Sequence, residues 1–276
     1  MIKAAFFDID GTLLDHSGER SVFPKSTKAA LTALQRRGIK VFISTGRSPA
    51  MLGSVGRDLP AVRDLFPFDG FCTFNGQLVL ERNGSVIHRL AHDPQEVLRF
   101  ITLAKQHGLK CFVLEDELSF PITDCPEIRQ HYEWMGVPCP PFYDSSRLME
   151  HPVIQFNIFL PLEKGMKILA PLEHIEITSS GFDVLDIIPK GGGKETGLSA
   201  VAKHYGILQE ETIAFGDGLN DVGMLRWAGV GVAMGNALDE VKREADYVTT
   251  PVSDDGVKNA LIGLGVLDEG DFCLES

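Results

Sequence analysis

The stretch FFDIDGTLLD, residues 6–15, decides how the rest of this 276-residue chain is read. An apolar run from Ile2 to Phe7 ends abruptly in two carboxylates one residue apart, Asp8 and Asp10. If the strand continued, its two-residue period would point both acids the same way. Like charges side by side are unfavourable unless a cation joins them or one of them binds a proton. Taken alone, the same residues also make a plain turn, because Asp bonds its own backbone and Gly accepts left-handed angles. The remainder of the sequence has to choose between a site and a turn.

Two later runs share the same grammar. KVFI (40–43) leads straight into STGR (44–47), and TIAF (212–215) leads into GDGLND (216–221). Continuous apolar runs, rather than alternating ones, mark strands covered by helices on both faces. Helical segments lie between them. STKAALTALQRRG (26–38) offers Ser26 or Thr27 as a cap, an apolar stripe through Ala30, Leu31 and Leu34, and Gly38 as a stop; ETGLSAVAKHYG (195–206) ends likewise at Gly206. This alternation predicts an α/β fold with a Rossmann-like, doubly wound parallel sheet. Ligands of such sheets bind beyond the carboxyl ends of the strands, where all three polar clusters fall.

The middle of the chain reads differently. QLVLERNGSVIHRL (77–90) places Asn83-Gly84 between apolar segments, a hairpin signal. DPQEVLRFITLAKQHG (93–108) predicts a helix with Asp93 as cap, Pro94 at its first position, Glu96 completing a capping box, and Gly108 as stop. Strand-like runs follow at KCFVLE, VIQFNIFL, IEIT and FDVLDII, with helical pieces around residues 127–135 and 164–172. Hairpins mixed with helices predict an α+β insert over residues 78–187, interrupting a core made of 1–77 and 188–276. The last residues, DEGDFCLES, are expected to form a loosely held tail.

Composition narrows the function. Lys+Arg 26 against Asp+Glu 38 leave a net charge of −12, which argues against nucleic acid or an anionic membrane as partner. The five cysteines (Cys72, Cys111, Cys125, Cys139, Cys273) are dispersed, with neither disulfide nor zinc spacing. No stretch approaches the roughly 20 apolar residues of a membrane span, and the N-terminal run breaks too early for a signal peptide. A cytoplasmic protein is expected. A Walker A loop fails around Gly193-Lys194, since Glu195 follows and Ile188 stands where the first glycine belongs. An EF-hand reading from Asp8 fails at Leu13, which occupies the glycine position. A receiver domain shares strand-end acids and a lysine but has no place for the insert. The scattered histidines read as ordinary surface or hydrogen-bonded residues.

Four places remain for chemistry. Asp8 and Asp10 follow one buried strand, and Asp217, Asn220 and Asp221 follow another. Together they make a hard-oxygen site suited to Mg²⁺. Ser44 or Thr45, with the N–H groups around Gly46, can donate to phosphate oxygens. Lys194 begins a helix, so its ammonium and the helix terminus can both face an anion.

In this order, DIDGT, STGR, Lys194 and GDGLNDVGML resemble the four motifs of the haloacid dehalogenase (HAD) superfamily. AGVGVAMGNA and ADYVTTPVSDDGVKNAL resemble its Cof-type branch, subclass IIB, with a large C2 cap between the second and third motifs. The resemblance covers the whole core. It implies a phosphatase in which Asp8 forms an aspartyl-phosphate and Asp10, partly protonated, serves as acid and base. It further implies that Mg²⁺ is held by Asp8, the Asp10 carbonyl and Asp217, with Asp221 acting through water or a neighbour. Phosphate oxygens would be held by the N–H groups of Ile9 and Gly46 and by Thr45, Lys194 and Asn220. A small phosphorylated metabolite, by analogy a sugar phosphate, is the expected substrate. A phosphotransferase or mutase using the same intermediate, and a catalytically weak phosphometabolite-binding protein, are the alternatives. Relatives usually carry Gly after the motif lysine; here Glu195 stands there. Arg47 reads as a substrate contact or a surface ion pair. Trp134, Met135 and Phe142 read as pocket lining or as a core stripe.

Overall fold

The computed structural model describes residues 1–53, 61–116, 118–123, 126–134, 139–143, 145–181 and 184–272. In chain order, β1 (Ala4–Phe7), α1 (Lys25–Arg36), β2 (Lys40–Ser44), α2 (Val62–Leu65) and β3 (Gly70–Thr73) come first, followed by the hairpin β4 (Leu78–Glu81) and β5 (Val86–Arg89). Then come α3 (Pro94–His107), β6 (Cys111–Leu114), β7 (Ser119–Pro121), α4 (Pro126–Trp134), β8 (Gln155–Phe159), α5 (Leu162–Leu169), β9 (Ile175–Gly181) and β10 (Val184–Pro189). The chain closes with α6 (Lys194–Tyr205), β11 (Thr212–Gly216), α7 (Val222–Trp227), β12 (Val230–Ala233), α8 (Asp239–Arg243), β13 (Tyr247–Val248) and α9 (Gly256–Gly263).

Two sheets organise these elements. The first runs β13-β12-β11-β1-β2-β3-β4-β5, parallel from β13 through β3. Every residue of β1 is buried, as its unbroken apolar run predicts. Phe7 stacks on Phe215 with ring centroids 4.8 Å apart, and Phe6 on Phe42 at 5.3 Å. One face packs Phe7, Ile43 and Phe215 under Leu31 and Leu34 of α1 and Leu261 of α9. The other packs Phe6, Phe42 and Ala214 under Leu198 and Val201 of α6 and Leu225 of α7. This is the doubly wound α/β core expected. The second sheet, β7-β6-β8-β10-β9, is antiparallel. Its outer face carries α3 and α5, with Phe100 stacked on Phe156 at 3.8 Å.

The hairpin is where the domain boundary moves. Its turn forms at Asn83-Gly84, with Gly84 at φ +89°, but β4 pairs antiparallel with β3 and extends the first sheet. An isolated hairpin is marginal in water, and the open edge of β3 supplies its third strand. By sheet membership the insert therefore begins after Arg89 rather than at Leu78, and it runs to Pro189, which still pairs with Ile175.

Three local expectations are also corrected. Helix α1 begins at Lys25 after Pro24, so Ser26 and Thr27 lie inside it and Ser26 Oγ donates to Asp255 at 2.5 Å. Asp93 caps α3 by accepting from Gln95 N at 2.8 Å, but Glu96 does not complete the box: its carboxylate accepts from His174 N at 3.2 Å and Arg99 at 3.2 Å. The segment before the C-terminus is tied down, because Arg37 bonds Asp268 and Asp271 and Phe272 packs on the core. Residues 273–276, Cys125 and Met135 lie outside the described residues, as does the side chain of Trp134. Phe142 is exposed under the Arg129 guanidinium, with no part in a buried stripe. Among the described residues no helix is long and apolar enough to cross a membrane.

Candidate active site

Parallel register brings the motifs together. Phe7 is level with Ile43 on one side and Phe215 on the other, so Asp8, Thr45 and Asp217 emerge side by side at the carboxyl ends of β1, β2 and β11. Lys194, the first residue of α6, reaches this point fully buried. Its Nζ donates to Asp8 Oδ1 at 2.6 Å and also to Asp221 Oδ1. Burial alone would lower the Lys194 pKa, but the Asp221 and Asp8 carboxylates raise it, so the ammonium stays charged.

Asp221 is fully buried, and its second oxygen accepts the N–H groups of Asp217 and Gly218 at 2.9 and 2.8 Å. It thus ties the loop after β11 to Lys194. Asp217 is oriented by Thr12, whose buried hydroxyl donates to Oδ1 at 2.8 Å, and by Asn236 Nδ2 at 3.4 Å. The Asp217 carboxylate lies directly on Gly11, at φ +82°, where a Cβ would collide with it. That contact is why the motif needs glycine between Asp10 and Thr12.

Carboxylate oxygens of Asp8, Asp217 and Asp221 lie within 4.8 Å of one another, a cluster able to hold a divalent cation. The chemistry of the donor set fits one. Burial pushes Asp8 well above the ordinary carboxylate range, opposed by Lys194 and reinforced by Asp221 and Asp217. Burial and then the Asp221 charge push Asp217 to about 7, against the Thr12 hydrogen bond. A single lysine does not balance three acids at this depth, and oxygen-ligated Mg²⁺ would favour the ionised form of each.

Asp10 stands apart from this cluster. Its side chain is 45% exposed and is gripped by Arg47, with Nε on Oδ2 at 2.9 Å and Nη2 on Oδ1 at 2.6 Å. His16 Nε2 lies 2.8 Å from Oδ1, and its Nδ1 bonds Ser21 at 2.7 Å. Crowding by the surrounding protein would raise the Asp10 carboxyl, but the His16 hydrogen bond and the Arg47 charge override it and hold the group at about 2. In this arrangement Asp10 is held ionised, where the resemblance implies partial protonation, and among the described residues the side-chain cluster consists of Asp8, Asp217 and Asp221. Arg47 belongs to the site as the cation that holds Asp10.

At the end of β2, Thr45 is buried and its Oγ1 accepts from Arg47 N at 3.2 Å, which leaves the hydroxyl proton to donate. Ser44 Oγ, also buried, has no hydrogen-bond partner. Gly46 is covered by the Asn75 amide, whose Oδ1 would be 3.1 Å from a Cβ. Asn220 Nδ2 donates to that same oxygen at 3.2 Å. Ile9 C=O accepts from Leu13 and Leu14 N–H at 3.0 and 2.8 Å, which closes the loop after β1. Glu195 is half-buried with its carboxyl against Gly223 of α7, and burial raises its pKa. Sequence reasoning missed Thr12, His16, Asn75 and Asn236. The Asn75-Gly76 dipeptide is a turn signal that would have directed attention to Asn75.

With this geometry in hand, comparison places the chain. Residues 5–261 match the family model of haloacid dehalogenase-like hydrolases, and the chain belongs to that family. It is a phosphoric monoester hydrolase of the HAD fold. It is 32% identical over 271 residues to the putative phosphatase YkrA of Bacillus subtilis, covering 96% of this chain and 98% of that protein. The HAD subclass IIB sugar phosphatase BT4131 superposes with a TM-score of 0.86 at 34% identity, over 96% of this chain and 100% of that one. BT1666, a HAD phosphatase of Bacteroides thetaiotaomicron, does so with a TM-score of 0.86 at 33% identity, over 97% and 96%.

Proposed function

We propose that this protein is a Mg²⁺-dependent phosphatase of small phosphorylated metabolites, sugar phosphates foremost, working through an aspartyl-phosphate on Asp8. The observation that carries this reading is the buried Asp8 carboxylate, bonded to Lys194 and grouped with Asp217 and Asp221 at the ends of parallel strands. The second sheet acts as a cap: its polar residues Gln155, Asn157 and Asp186 are buried near the phosphate-side residue Asn75, which suits a small substrate enclosed away from bulk water. The sugar-phosphate class rests on the subclass of the similar structure BT4131.

In the first half-reaction an oxygen of Asp8 bonds to phosphorus as the ester oxygen leaves with a proton. In the second, water attacks the same phosphorus, gives up a proton and releases Asp8. Lys194 neutralises charge that would repel the attacking carboxylate, while Thr45, Asn220 and the N–H groups of Ile9 and Gly46 hold the equatorial oxygens. Asp8, Asp217 and the Asp10 carbonyl would hold the cation, whose chemistry is to offset charge on the transferring group. Asp221 fixes Lys194 and the Asp217 loop. Asp10 carries the protons: once its grip by Arg47 opens it takes up a proton from water, gives that proton to the leaving ester oxygen, and recovers one from the attacking water; an anionic substrate competing for Arg47 would release it.

The test is phosphate release from a panel of phosphorylated metabolites by the wild type and Asp8→Asn, each with Mg²⁺ and with EDTA. Release is expected to require both the metal and Asp8, with Asp8→Asn slower by about a thousandfold or more. Release unchanged in Asp8→Asn refutes the aspartyl-phosphate route.

A further inference from the structure

We propose that Asn75 is a positioning residue: held by Asp186 of the second sheet, it sets the Asn220 amide to donate to the transferring phosphoryl group, so the phosphate grip is complete only when the cap lies on the core. This rests on the phosphatase reading above and adds to it a coupling between cap and phosphate site.

Asn75 sits where every part of the site meets. Phe74, Asn75 and Gly76 follow β3 with φ of +50°, +53° and +90°, three successive left-handed residues of which two are not glycine. Such a backbone persists only when its surroundings impose it. Here Asn75 N donates to Thr45 O at 2.9 Å, and its side chain covers Gly46. Gly76 presses against the turn that starts α6: a Cβ there would collide with Gly193 O and lie 2.8 Å from Gly197 N. One short turn therefore touches the loop after β2 and the helix that carries Lys194, and Asn75 Oδ1 accepts from Asn220 in the loop after β11.

Its other end reaches the cap. Asn75 Nδ2 donates to Asp186 Oδ2 at 2.9 Å and lies 3.4 Å from Gln155 Oε1. Asp186 Oδ1 accepts from Asn157, its cross-strand neighbour on β8. Asp186 is buried, takes both its hydrogen bonds from amides and joins no ion pair among the described residues. Around this polar centre, Phe74 and Leu78 of the core pack against Phe112, Leu114 and Ile154 of the cap.

The chemistry gives the chain of bonds a direction. An ionised carboxylate only accepts, so Asp186 turns Nδ2 of Asn75 toward itself. That leaves Oδ1 of Asn75 facing the core, where it requires a donor, and Asn220 must present its nitrogen. An amide nitrogen carries two protons. One is spent on Asn75, and the other is left in a fixed orientation for a phosphate oxygen.

The experiment exchanges the two partners. Asn75→Asp sets two carboxylates against each other, and Asp186→Asn leaves one carbonyl to serve two donors. In the double change, the new carboxylate at position 75 accepts from Asn220 and from the new amide at 186, whose carbonyl accepts from Asn157. Wild type, both single variants and the exchange are compared by kcat and KM on p-nitrophenyl phosphate, by calorimetric Kd for inorganic phosphate with Mg²⁺, and by melting temperature. Each single change is expected to weaken phosphate binding and lower kcat by about tenfold or more, and the exchange to recover most of both. An exchange that restores the melting temperature but neither phosphate affinity nor kcat overturns the proposal, since the pair would then only tether the cap. Single variants that bind phosphate as the wild type does overturn it as well. A wild type that binds phosphate but hydrolyses no ester refutes the proposed reaction, and the four phosphate affinities still decide the role of Asn75.

Discussion

Asp8 and Asp10 are one residue apart and chemically divided by what surrounds them. Asp8 faces inward to Lys194 and two further acids, and burial drives its pKa up. Asp10 faces outward to Arg47 and His16, which together hold it at about 2. Two carboxylates in different environments take different tasks, the usual basis for assigning nucleophile and proton carrier. The Arg47 contact then has a measurable consequence. With Arg47→Gln, only His16 remains to hold the Asp10 carboxyl down, so it rises. The basic limb of the pH profile of kcat/KM, which reports the general acid of the free enzyme, is expected to move to higher pH by about one unit or more. A limb that stays in place excludes Asp10 as the group it reports.

At the scale of elements, a connector between the two sheets carries a pH-sensitive residue, His92. His92 lies just before α3 with its ring buried, its backbone N–H donating to Val153 O at 2.8 Å and its ring Nε2 3.1 Å from Ile187 O on β10. It therefore joins the outgoing connector to the returning strand. Burial lowers its pKa from 6.5 to about 4, against the Ile187 hydrogen bond and the Glu96 charge. The neutral ring is the folded form, while the unfolded chain takes up a proton below 6.5. Stability from this residue is thus complete above about pH 6.5 and is lost as pH falls to about 4, a loss of about 3 kcal/mol. Urea unfolding of the wild type and His92→Gln across this range isolates the effect. The difference between them should hold from pH 7.5 to about 6.5 and then shrink down to about pH 4, and a constant difference would show that His92 does not titrate on unfolding.

For the whole molecule, the net charge of −12 surrounds a site that accepts an anion. Within the site, Lys194, Arg47 and a divalent cation would together balance Asp8, Asp10, Asp217 and Asp221, so the long-range field on an anionic substrate would come from the surface and be repulsive. Salt screens that repulsion, with a Debye length of about 30 Å at 0.01 M and about 8 Å at 0.15 M. At fixed Mg²⁺, kcat/KM for a phosphate ester should therefore rise between these ionic strengths; a fall would mean that positive charge dominates the approach.

The residues that determine the core announce themselves in one dimension. Buried parallel strands are continuous apolar runs, and the polar clusters that follow Phe7, Ser44 and Phe215 fall at strand ends because parallel register leaves them nowhere else. Asp8, Thr45 and Asp217 were legible for that reason, and Lys194 as the first residue of a helix. What the sequence could not show is decided by packing across long separations. Only the open edge of β3 draws the Leu78–Glu81 strand out of the insert. Helix α3 gives up its capping box because His174, far along the chain, offers Glu96 another donor. Asp10 looks like a shared-proton acid until Arg47 is placed beside it. Asn75 and Asp186, 111 residues apart, read as a turn and a strand residue and become one hydrogen-bonded pair only when the sheets meet. Local chemistry determines strands, turns and motif order, while charge state and long-range pairing depend on neighbours that only the folded chain supplies.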